Sequence, residues 1–346
     1  MTTLRKISSR DVALKAGVSQ TTVSYVLSGR ENIAIPDATR KRVLEAAADL
    51  GYRANSSAKA MRSGRFGSVS LLLSENPSMS ILPSERLEGI LDALEAVGMH
   101  LIVSRFADAA LADREQMPRI LRELMADGLL INYNTNLPDH MAERIAQNCI
   151  PAVWMNSKQD ADCVYPDDWD AARRATETLL ELGHRRIAFA THTGTTHYSY
   201  EDRMNGYTQA MIAAGLAPQR LETWRELPAL PARNAVISWL NGNDAPTAIL
   251  TYATETASLI FAAALALGLN IPADLSLLTF NARPVDLFGP TLATMLLPER
   301  EIGRNAVEML LAKIKTPEQT FAPASLACEL LAGDTLASPQ AKTGRR

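Results

Sequence analysis

The stretch VSQTTVSYVL, residues 18–27, has the pattern of a short helix with one apolar face and one polar face. Four apolar residues recur at helical spacing and predict a buried face: Val18, Val23, Val26 and Leu27. The other side chains are expected to face outward near the start of the helix: Gln20, Thr21, Thr22, Ser24 and Tyr25. Such a helix suits the major groove of DNA, where the first turns of a recognition helix meet the base edges.

A second amphipathic helix is predicted directly before it, in ISSRDVALKAG, residues 7–17. Ser8 and Asp11 have the spacing of a capping box, in which two residues satisfy the free amides at a helix start. Gly17 can adopt the left-handed conformation that ends a helix, and Ser19 can cap the next one. Two short helices joined by such a tight turn predict a helix-turn-helix.

A third helix is predicted from about Pro36 onward. Proline suits the first turn of a helix, and Asp37 lies near the positive end of the helix dipole. An apolar stripe follows and stops at Gly51: Val43, Leu44, Ala46, Ala47 and Leu50. The first part of the chain is therefore expected to be an all-α head.

Charge is distributed unevenly along the 346 residues. Residues 1–66 contain 12 Lys and Arg and 5 Asp and Glu, which is a net charge of +7. The rest of the chain contains 23 Lys and Arg and 33 Asp and Glu, which is a net charge of −10. A basic head on an acidic body indicates a polyanion-binding site in the head.

Several other classes of protein are not indicated. The 3 cysteines and 5 histidines show no spacing typical of a metal site, and no glycine-rich phosphate-binding sequence occurs, so we expect neither metal nor cofactor. We find no apolar run long enough to span a membrane and no signal peptide, so we expect a cytoplasmic protein without membrane partners. No nucleophile–base–acid set indicates an enzyme.

From residue 67 onward, short apolar runs alternate with amphipathic segments. Strands are predicted over residues 69–73 and 128–131, and helices over residues 84–97 and 168–182. This alternation predicts an α/β body with parallel sheets that are covered by helices on both faces. The last residues, 336–346, are small, polar and basic at the end, which predicts a disordered tail.

The order of short motifs in the head is similar to that of a known family. Between residues 11 and 27, the motifs occur in the order DVA, AGVS, TVS and VL. Between residues 39 and 55, they are followed by TR, V, AA, LGY and N. This joint spacing, followed by a short basic segment, resembles the lac repressor family of bacterial regulators (LacI/GalR type). The resemblance covers about residues 5–333. It implies a two-lobed, periplasmic-binding-protein-like body with a small-molecule cleft between the lobes.

The resemblance also implies roles for residues of the head. Three residues match the positions that read bases in the major groove: Gln20, Thr21 and Tyr25. Five other residues match polar positions that lie at the phosphate backbone or at the first turn of a helix next to it: Ser8, Ser19, Thr22, Ser24 and Thr39. Four further residues match the hinge helix of the family, from which an apolar side chain inserts into the minor groove: Asn55, Ala58, Lys59 and Met61. Ala54 and Pro36 depart from the family pattern, which has Pro and a capping Ser there.

Five residues of the body match effector-contacting positions of the family: Asn132, Asn156, Arg203, Trp224 and Asn281. Asn156 and Asn281 stand where sugar-binding members commonly carry Asp, while Ala253 and Thr254 occupy the usual Asn-Asp. An ionised Asp only accepts hydrogen bonds, whereas Asn donates and accepts. The effector is therefore expected to present a different hydrogen-bonding pattern from a usual neutral sugar.

The sequence thus predicts a helix-turn-helix domain over residues 1–54 and a hinge helix with linker over residues 55–66. A two-lobed effector-binding and dimerisation domain is predicted over residues 67–335. The expected function is that of a homodimeric repressor that binds a pseudo-palindromic operator in double-stranded DNA. Its small-molecule effector is expected to be a sugar or a related metabolite. The alternatives are an activator or an effector-independent regulator of the same type and, more distantly, a solute-binding protein.

Overall fold

The computed structural model describes residues 7–27, 33–52, 65–113, 115, 126–192, 194–223, 229–287 and 289–340. The chain divides into two compact units, Met1–Gly67 and Ser68–Arg346, which we call the head and the body. The predicted hinge residues Asn55, Ala58, Lys59 and Met61 lie outside the described residues, as does Trp224.

The described part of the head contains three helices, α1 (Ser9–Ala16), α2 (Gln20–Leu27) and α3 (Asp37–Asp49). The predicted capping box is present, because the side chains of Ser8 and Asp11 each accept a hydrogen bond from the other residue's backbone amide. Gly17 ends α1 with φ 65°, the left-handed conformation that favours glycine. A small apolar core holds the three helices together: Val12, Ala13, Ala16, Val23, Val26, Val43, Ala46 and Ala47.

The first lobe of the body is built on a parallel sheet. Its strands are β1 (Ser68–Ser74), β2 (His100–Phe106), β3 (Gly128–Ile131), β4 (Ala152–Met155), β5 (Cys163–Pro166) and β11 (Ala324–Leu326). Their order is β11-β5-β4-β3-β1-β2, so β2 is an edge strand. The described helices of this lobe are α4 (Ser84–Glu95), α5 (Asp108–Ala112), α6 (Met141–Gln147) and α11 (Glu299–Lys315). Two apolar clusters form its core.

The second lobe repeats this arrangement with a different last strand. Its strands are β6 (Ile187–His192), β7 (Gln219–Thr223), β8 (Ala248–Thr251), β9 (Ser276–Asn281), β10 (Ala293–Leu296) and β12 (Glu329–Leu331). The order is β12-β10-β9-β8-β6-β7, and only the pairing of β12 with β10 is antiparallel among these described strands. The helices are α7 (Asp168–Glu181), α8 (Tyr198–Ala213), α9 (Ala229–Leu240) and α10 (Thr254–Ala266).

The chain crosses between the lobes after β5, after β10 and after β11. In each lobe, a helix that begins directly after a crossover packs closely on a neighbouring helix: α11 on α4, and α7 on α8. Glycines allow this close approach. A Cβ on Gly303 would overlap the backbone of Arg86, and one on Gly206 would overlap the carbonyl of Trp169. The helices after the crossovers are therefore held tightly to their lobes.

The alternating pattern of the body is confirmed, with parallel sheets in both lobes. The strand predicted over residues 128–131 is present, and the helix predicted over residues 84–97 ends at Glu95. The tail was expected to be disordered from residue 336. Leu336 instead packs against the core of the second lobe, and the Ala337 carbonyl accepts hydrogen bonds from His184 and Ser276. These partners are distant in sequence, so the tail's own composition could not reveal them.

Among the helices that the structure describes, none combines the length and the apolar character needed to cross a bilayer.

Candidate functional site

Helix α2 exposes part of the polar face that the sequence predicted, because Thr22, Ser24 and Tyr25 are half-buried. Gln20 and Thr21 are exposed at its first two positions, while Val23 and Val26 are buried against the other helices of the head. Ser19 precedes the helix, and its hydroxyl accepts a hydrogen bond from the Thr22 amide at 3.0 Å. The free amides and the positive dipole end of a helix start favour contact with phosphate. The start of α2 therefore presents polar side chains on a backbone suited to DNA.

Several other predicted DNA-contacting residues of the head are more enclosed. Ser24, Tyr25 and Thr39 are half-buried, and Thr39 lies in the first turn of α3. Ser8 is exposed, but its hydroxyl donates to the Asp11 carboxylate at 2.7 Å. A phosphate contact by Ser8 would therefore have to compete with its own capping bond.

In the first lobe, Asn132 follows β3 and is completely buried. Its Oδ1 accepts a hydrogen bond from Arg86 at 2.6 Å, and its Nδ2 donates to the Ile81 carbonyl at 3.2 Å. Arg86 in turn binds Glu299, whose Oε2 lies 2.7 Å from Nε and 2.5 Å from Nη2. Glu299 is the first residue of α11, directly after a crossover. The Asn132 amide is thus engaged inside its own lobe.

In the second lobe, Arg203 is only 6% exposed. Its Nε lies 2.7 Å and its Nη2 2.6 Å from Asp168 Oδ1, while its Nη1 donates to the Tyr252 carbonyl at 2.6 Å. Its guanidinium also packs on the rings of Tyr252 and Phe280. Burial raises the pKa of Asp168 above its ordinary value, against the opposing effect of Arg203. Arg203 is therefore already bound to a carboxylate and a carbonyl of its own chain.

Asn156 follows β4 and adopts the left-handed conformation, with φ 51°. Its carbonyl lies 3.0 Å from His197 Nε2, and its Oδ1 accepts a hydrogen bond from the Tyr198 hydroxyl at 3.3 Å. His197 and Tyr198 belong to the start of α8 in the second lobe. The predicted effector residue Asn156 is thus a point of contact between the lobes.

Asn281 ends β9 and is half-buried. Its Nδ2 donates to the Arg283 carbonyl at 2.9 Å, which leaves its Oδ1 as the acceptor of the side chain. Asn156 bonds to the start of α8, the helix that also carries Arg203, whereas Asn132 belongs to a hydrogen-bond network in the first lobe. No hydrogen bond joins any two of the predicted effector residues that the structure describes.

Five residues of these networks were not among the predicted site residues: Arg86, Asp168, His197, Tyr198 and Glu299. One sequence signal could have found one of these positions, Arg86. Arg86 and Gly89 have the same Arg-x-x-Gly spacing as Arg203 and Gly206, and each arginine binds the first residue of the neighbouring helix. His197 and Tyr198 carry no comparable pattern.

The described residues contain no group of three or more His, Cys, Asp or Glu side chains that could hold a metal ion. The acidic residues of the two networks are instead bound to arginines.

The fold and these surfaces define a class of protein: a regulator with a helix-turn-helix head and a two-lobed binding body. Comparison with known proteins agrees with this class. Residues 9–55 match the profile of bacterial regulatory proteins of the lacI family, and residues 176–336 match that of a periplasmic binding protein-like domain.

Two relatives align along most of the chain. The HTH-type transcriptional repressor PurR of Vibrio vulnificus is 28% identical over 339 residues, which cover 94% of this chain and 98% of the relative. Catabolite control protein A of Priestia megaterium is 29% identical over 310 residues, which cover 87% of this chain and 90% of the relative.

Solved structures share the fold. The lac repressor dimer bound to operator and the anti-inducer ONPF has a TM-score of 0.78 and 23% identity, covering 96% of this chain and 99% of that chain. A LacI family regulator from Silicibacter pomeroyi has a TM-score of 0.68 and 27% identity, covering 96% of this chain and 99% of that chain. The chain belongs to the lacI family of bacterial regulatory proteins, a family of transcriptional regulators rather than enzymes.

Proposed function

We propose that this protein is a transcriptional repressor that binds operator DNA through α2 and is controlled by a small molecule bound in the body. The observation that carries the proposal is the geometry of the head. Gly17 and Ser19 turn the chain between α1 and α2, and Gln20 and Thr21 stand exposed at the start of α2. The base-reading roles of Gln20, Thr21 and Tyr25 belong to this proposal, as do the backbone and hinge contacts that family resemblance implies.

The proposed repressor acts as a homodimer. Four apolar side chains of the first lobe are exposed on α4, on the turn after it and on the edge strand β2: Leu91, Val97, Ile102 and Val103. Apolar surface beside an edge strand is suited to burial against a second copy. A two-fold dimer places two α2 helices on two half-sites, which requires a pseudo-palindromic operator.

The proposed effector is a sugar or a related metabolite that binds between the lobes. In open α/β folds, ligands bind beyond the carboxyl ends of the strands. Asn132, Asn156 and Asn281 each lie at or directly after such an end, and Arg203 is assigned to the same site. Trp224 is assigned by family resemblance alone. Because the target is chromosomal DNA, we place the protein in the cytoplasm and on the nucleoid when it is bound.

A second candidate is an effector-independent regulator of the same family. The side chains of Asn132 and Arg203 already have buried partners within their lobes. An effector that bonded to the same atoms would have to replace these bonds.

Operator binding tests the proposal directly. Fluorescence anisotropy with palindromic fragments from the DNA upstream of the protein's own gene and neighbouring genes should give salt-dependent, sequence-specific binding. Gln20→Ala with Thr21→Ala should weaken binding to the preferred fragment at least tenfold, since each specific base contact contributes about 1–3 kcal/mol. Gln209→Ala, on an exposed position of α8, serves as the control and should leave binding unchanged. Absence of specific binding to every fragment would refute the proposal.

A thermal-shift screen separates the two candidates. Sugars, sugar acids and nucleosides are added to the full chain, and the melting of the body is followed. A compound that raises the melting temperature and also changes operator affinity supports effector control. No shift with any compound supports the effector-independent regulator.

A further inference from the structure

The two lobes meet at a small polar contact beside the crossovers. On the first lobe, it consists of residues 156–158, the loop after β4. On the second lobe, it consists of residues 197–202, the start of α8. We call these two segments together the clasp. Their hydrogen bonds join residues about 40 positions apart in the chain, so the clasp links the two lobes of the body.

The first-lobe side of the clasp is held in a fixed position. Asn156 has a left-handed backbone, a conformation that asparagine tolerates better than most residues. Its amide donates to the Val164 carbonyl on β5 at 2.9 Å. The Asn156 carbonyl and side-chain oxygen therefore both remain available to α8.

The second-lobe side of the clasp depends on a neutral histidine. Burial lowers the pKa of His197 to about 4, although the bond to the Asn156 carbonyl opposes this shift. A carbonyl can only accept, so the imidazole hydrogen lies on Nε2 and is donated to Asn156 at 3.0 Å. The unprotonated Nδ1 then accepts from the Ser199 hydroxyl at 2.7 Å. The tautomer is consistent with every partner of the ring.

Tyr198 and an ion pair complete the clasp. The Tyr198 hydroxyl donates to Asn156 Oδ1 at 3.3 Å, and its ring meets that of Tyr165 from the first lobe edge-on at 5.7 Å. Lys158 Nζ lies 2.9 Å and 3.1 Å from the two carboxylate oxygens of Asp202. Four residues at the start of α8 thus contribute to one surface: His197, Tyr198, Ser199 and Asp202. The hydrogen-bond donors and charges on this surface are complementary to those of the first lobe.

The clasp is also connected to the arginine of the second lobe. The Ser199 hydroxyl, bonded to His197, lies 2.9 Å from the Tyr252 hydroxyl. The Tyr252 carbonyl accepts from Arg203 Nη1. A group that draws Arg203 away from Tyr252 would therefore disturb the residue that supports His197.

We propose that the clasp holds the two lobes in the arrangement seen here and is the element that an effector must overcome to change it. An effector that bonds to Asn156 Oδ1 competes with the Tyr198 hydroxyl for that atom, and one that draws Arg203 from the Tyr252 carbonyl disturbs the residue that bonds to Ser199. Ligand binding at Asn156 therefore competes with the lobe contact. The role of the effector rests on the proposed function, whereas the lobe contact itself can be tested without effector or DNA.

The distance between the lobes can be measured with two spin labels. Cys149 is exposed in the first lobe, whereas Cys163 and Cys328 are buried. Burial raises the pKa of the Cys163 and Cys328 thiols, which makes them poor labelling sites. Asn241→Cys adds a second exposed label after α9 in the second lobe. Pulsed electron paramagnetic resonance on the doubly labelled full chain then reports the separation of the lobes.

The clasp is weakened by Tyr198→Phe with Asp202→Asn, which deletes one hydrogen bond between the lobes and one charge of the ion pair but keeps the shapes. Because the proposed repressor is a dimer, the doubly labelled chain is mixed with an excess of unlabelled chain that carries Cys149→Ser. The distance distribution of the labelled parent should then be a single narrow peak, and the double variant should lose that peak to a broader, shifted distribution. Tyr133→Phe with Asp170→Asn is the matched control, because the Tyr133 hydroxyl bonds to Asp108 inside the first lobe and Asp170 pairs with Arg173 inside the second lobe. This control should keep the parent distribution.

Circular dichroism and tryptophan fluorescence verify that both double variants are folded. A clasp variant that is folded and retains the parent distribution overturns the proposal. So does a control variant that broadens as much as the clasp variant, because the effect would then not depend on the lobe contact. Neither result bears on operator binding, so the proposed function would stand or fall separately.

Discussion

Replacing Arg86 by methionine tests whether the first lobe depends on a buried ion pair at the crossover. Arg86 is completely buried and Glu299 is 4% exposed. The arginine binds the Glu299 carboxylate through Nε and Nη2 and the Asn132 amide oxygen through Nη1. Arg86→Met leaves the carboxylate without its cation and the amide oxygen without its donor, while the methionine retains much of the apolar stem.

The expected cost follows from these contacts. Breaking a buried ion pair by removing one partner costs about 3–5 kcal/mol. The bond to Asn132 contributes about 1 kcal/mol to that loss in a typical case. We therefore expect Arg86→Met to lower the free energy of unfolding of the body by about 4 kcal/mol. Adding Glu299→Gln removes the isolated charge and should restore at least about 2 kcal/mol, since the desolvation of an uncompensated carboxylate dominates the loss.

Urea denaturation followed by tryptophan fluorescence provides the assay. All 4 tryptophans lie in the body, so the signal reports its unfolding and not that of the head. The dependence of the unfolding free energy on urea should remain that of the parent, which shows that the same surface is exposed. A loss below about 1 kcal/mol for the single variant, or a double variant no more stable than the single one, would refute this account of the pair.

Three further predictions concern the head, the helix contact and pH. Ser8→Ala removes the capping bond to the Asp11 amide and should destabilise α1 by about 1 kcal/mol. Amide hydrogen exchange in that helix should then be roughly fivefold faster. Unchanged exchange would contradict the capping role. Gly206→Ala places a methyl group against the Trp169 carbonyl and should lower the stability of the body by about 1–3 kcal/mol, measured by thermal melting. His197 has a pKa of about 4, below its ordinary value, so the folded body binds fewer protons than the unfolded chain between about pH 4 and pH 6.5. Its contribution to stability should therefore be lost as the pH falls through this window, and His197→Asn should lack that part of the pH dependence in urea titrations.

Local patterns predicted the head in detail because its contacts are local. The capping box, the glycine at the end of α1 and the apolar spacing of α2 each involve residues within one or two helical turns. Such short-range interactions are encoded directly in spacing and residue type. The alternating apolar runs of the body predicted its parallel sheets for the same reason, since burial on both faces gives a strand a continuous apolar sequence.

The candidate site depended on contacts that spacing does not encode. Asn156, Arg203 and Asn132 are assigned by resemblance as ligand contacts, but their partners come from segments 35 to 51 positions away. Glu299 reaches Arg86 across 213 positions because the chain returns to the first lobe after completing most of the second. No periodicity in the sequence could pair these two residues.

The sequence by itself determined the helix-turn-helix head, the two kinds of secondary structure in the body and the polar face of α2. Helix caps and amphipathic periods are set by neighbours along the chain, so they can be worked out before the fold is known. Only the tertiary structure decided that Arg86 and Arg203 are neutralised by Glu299 and Asp168, and that Asn156 joins the lobes. Burial and charge pairing depend on which segments the crossovers bring together, and this is a property of the folded chain as a whole.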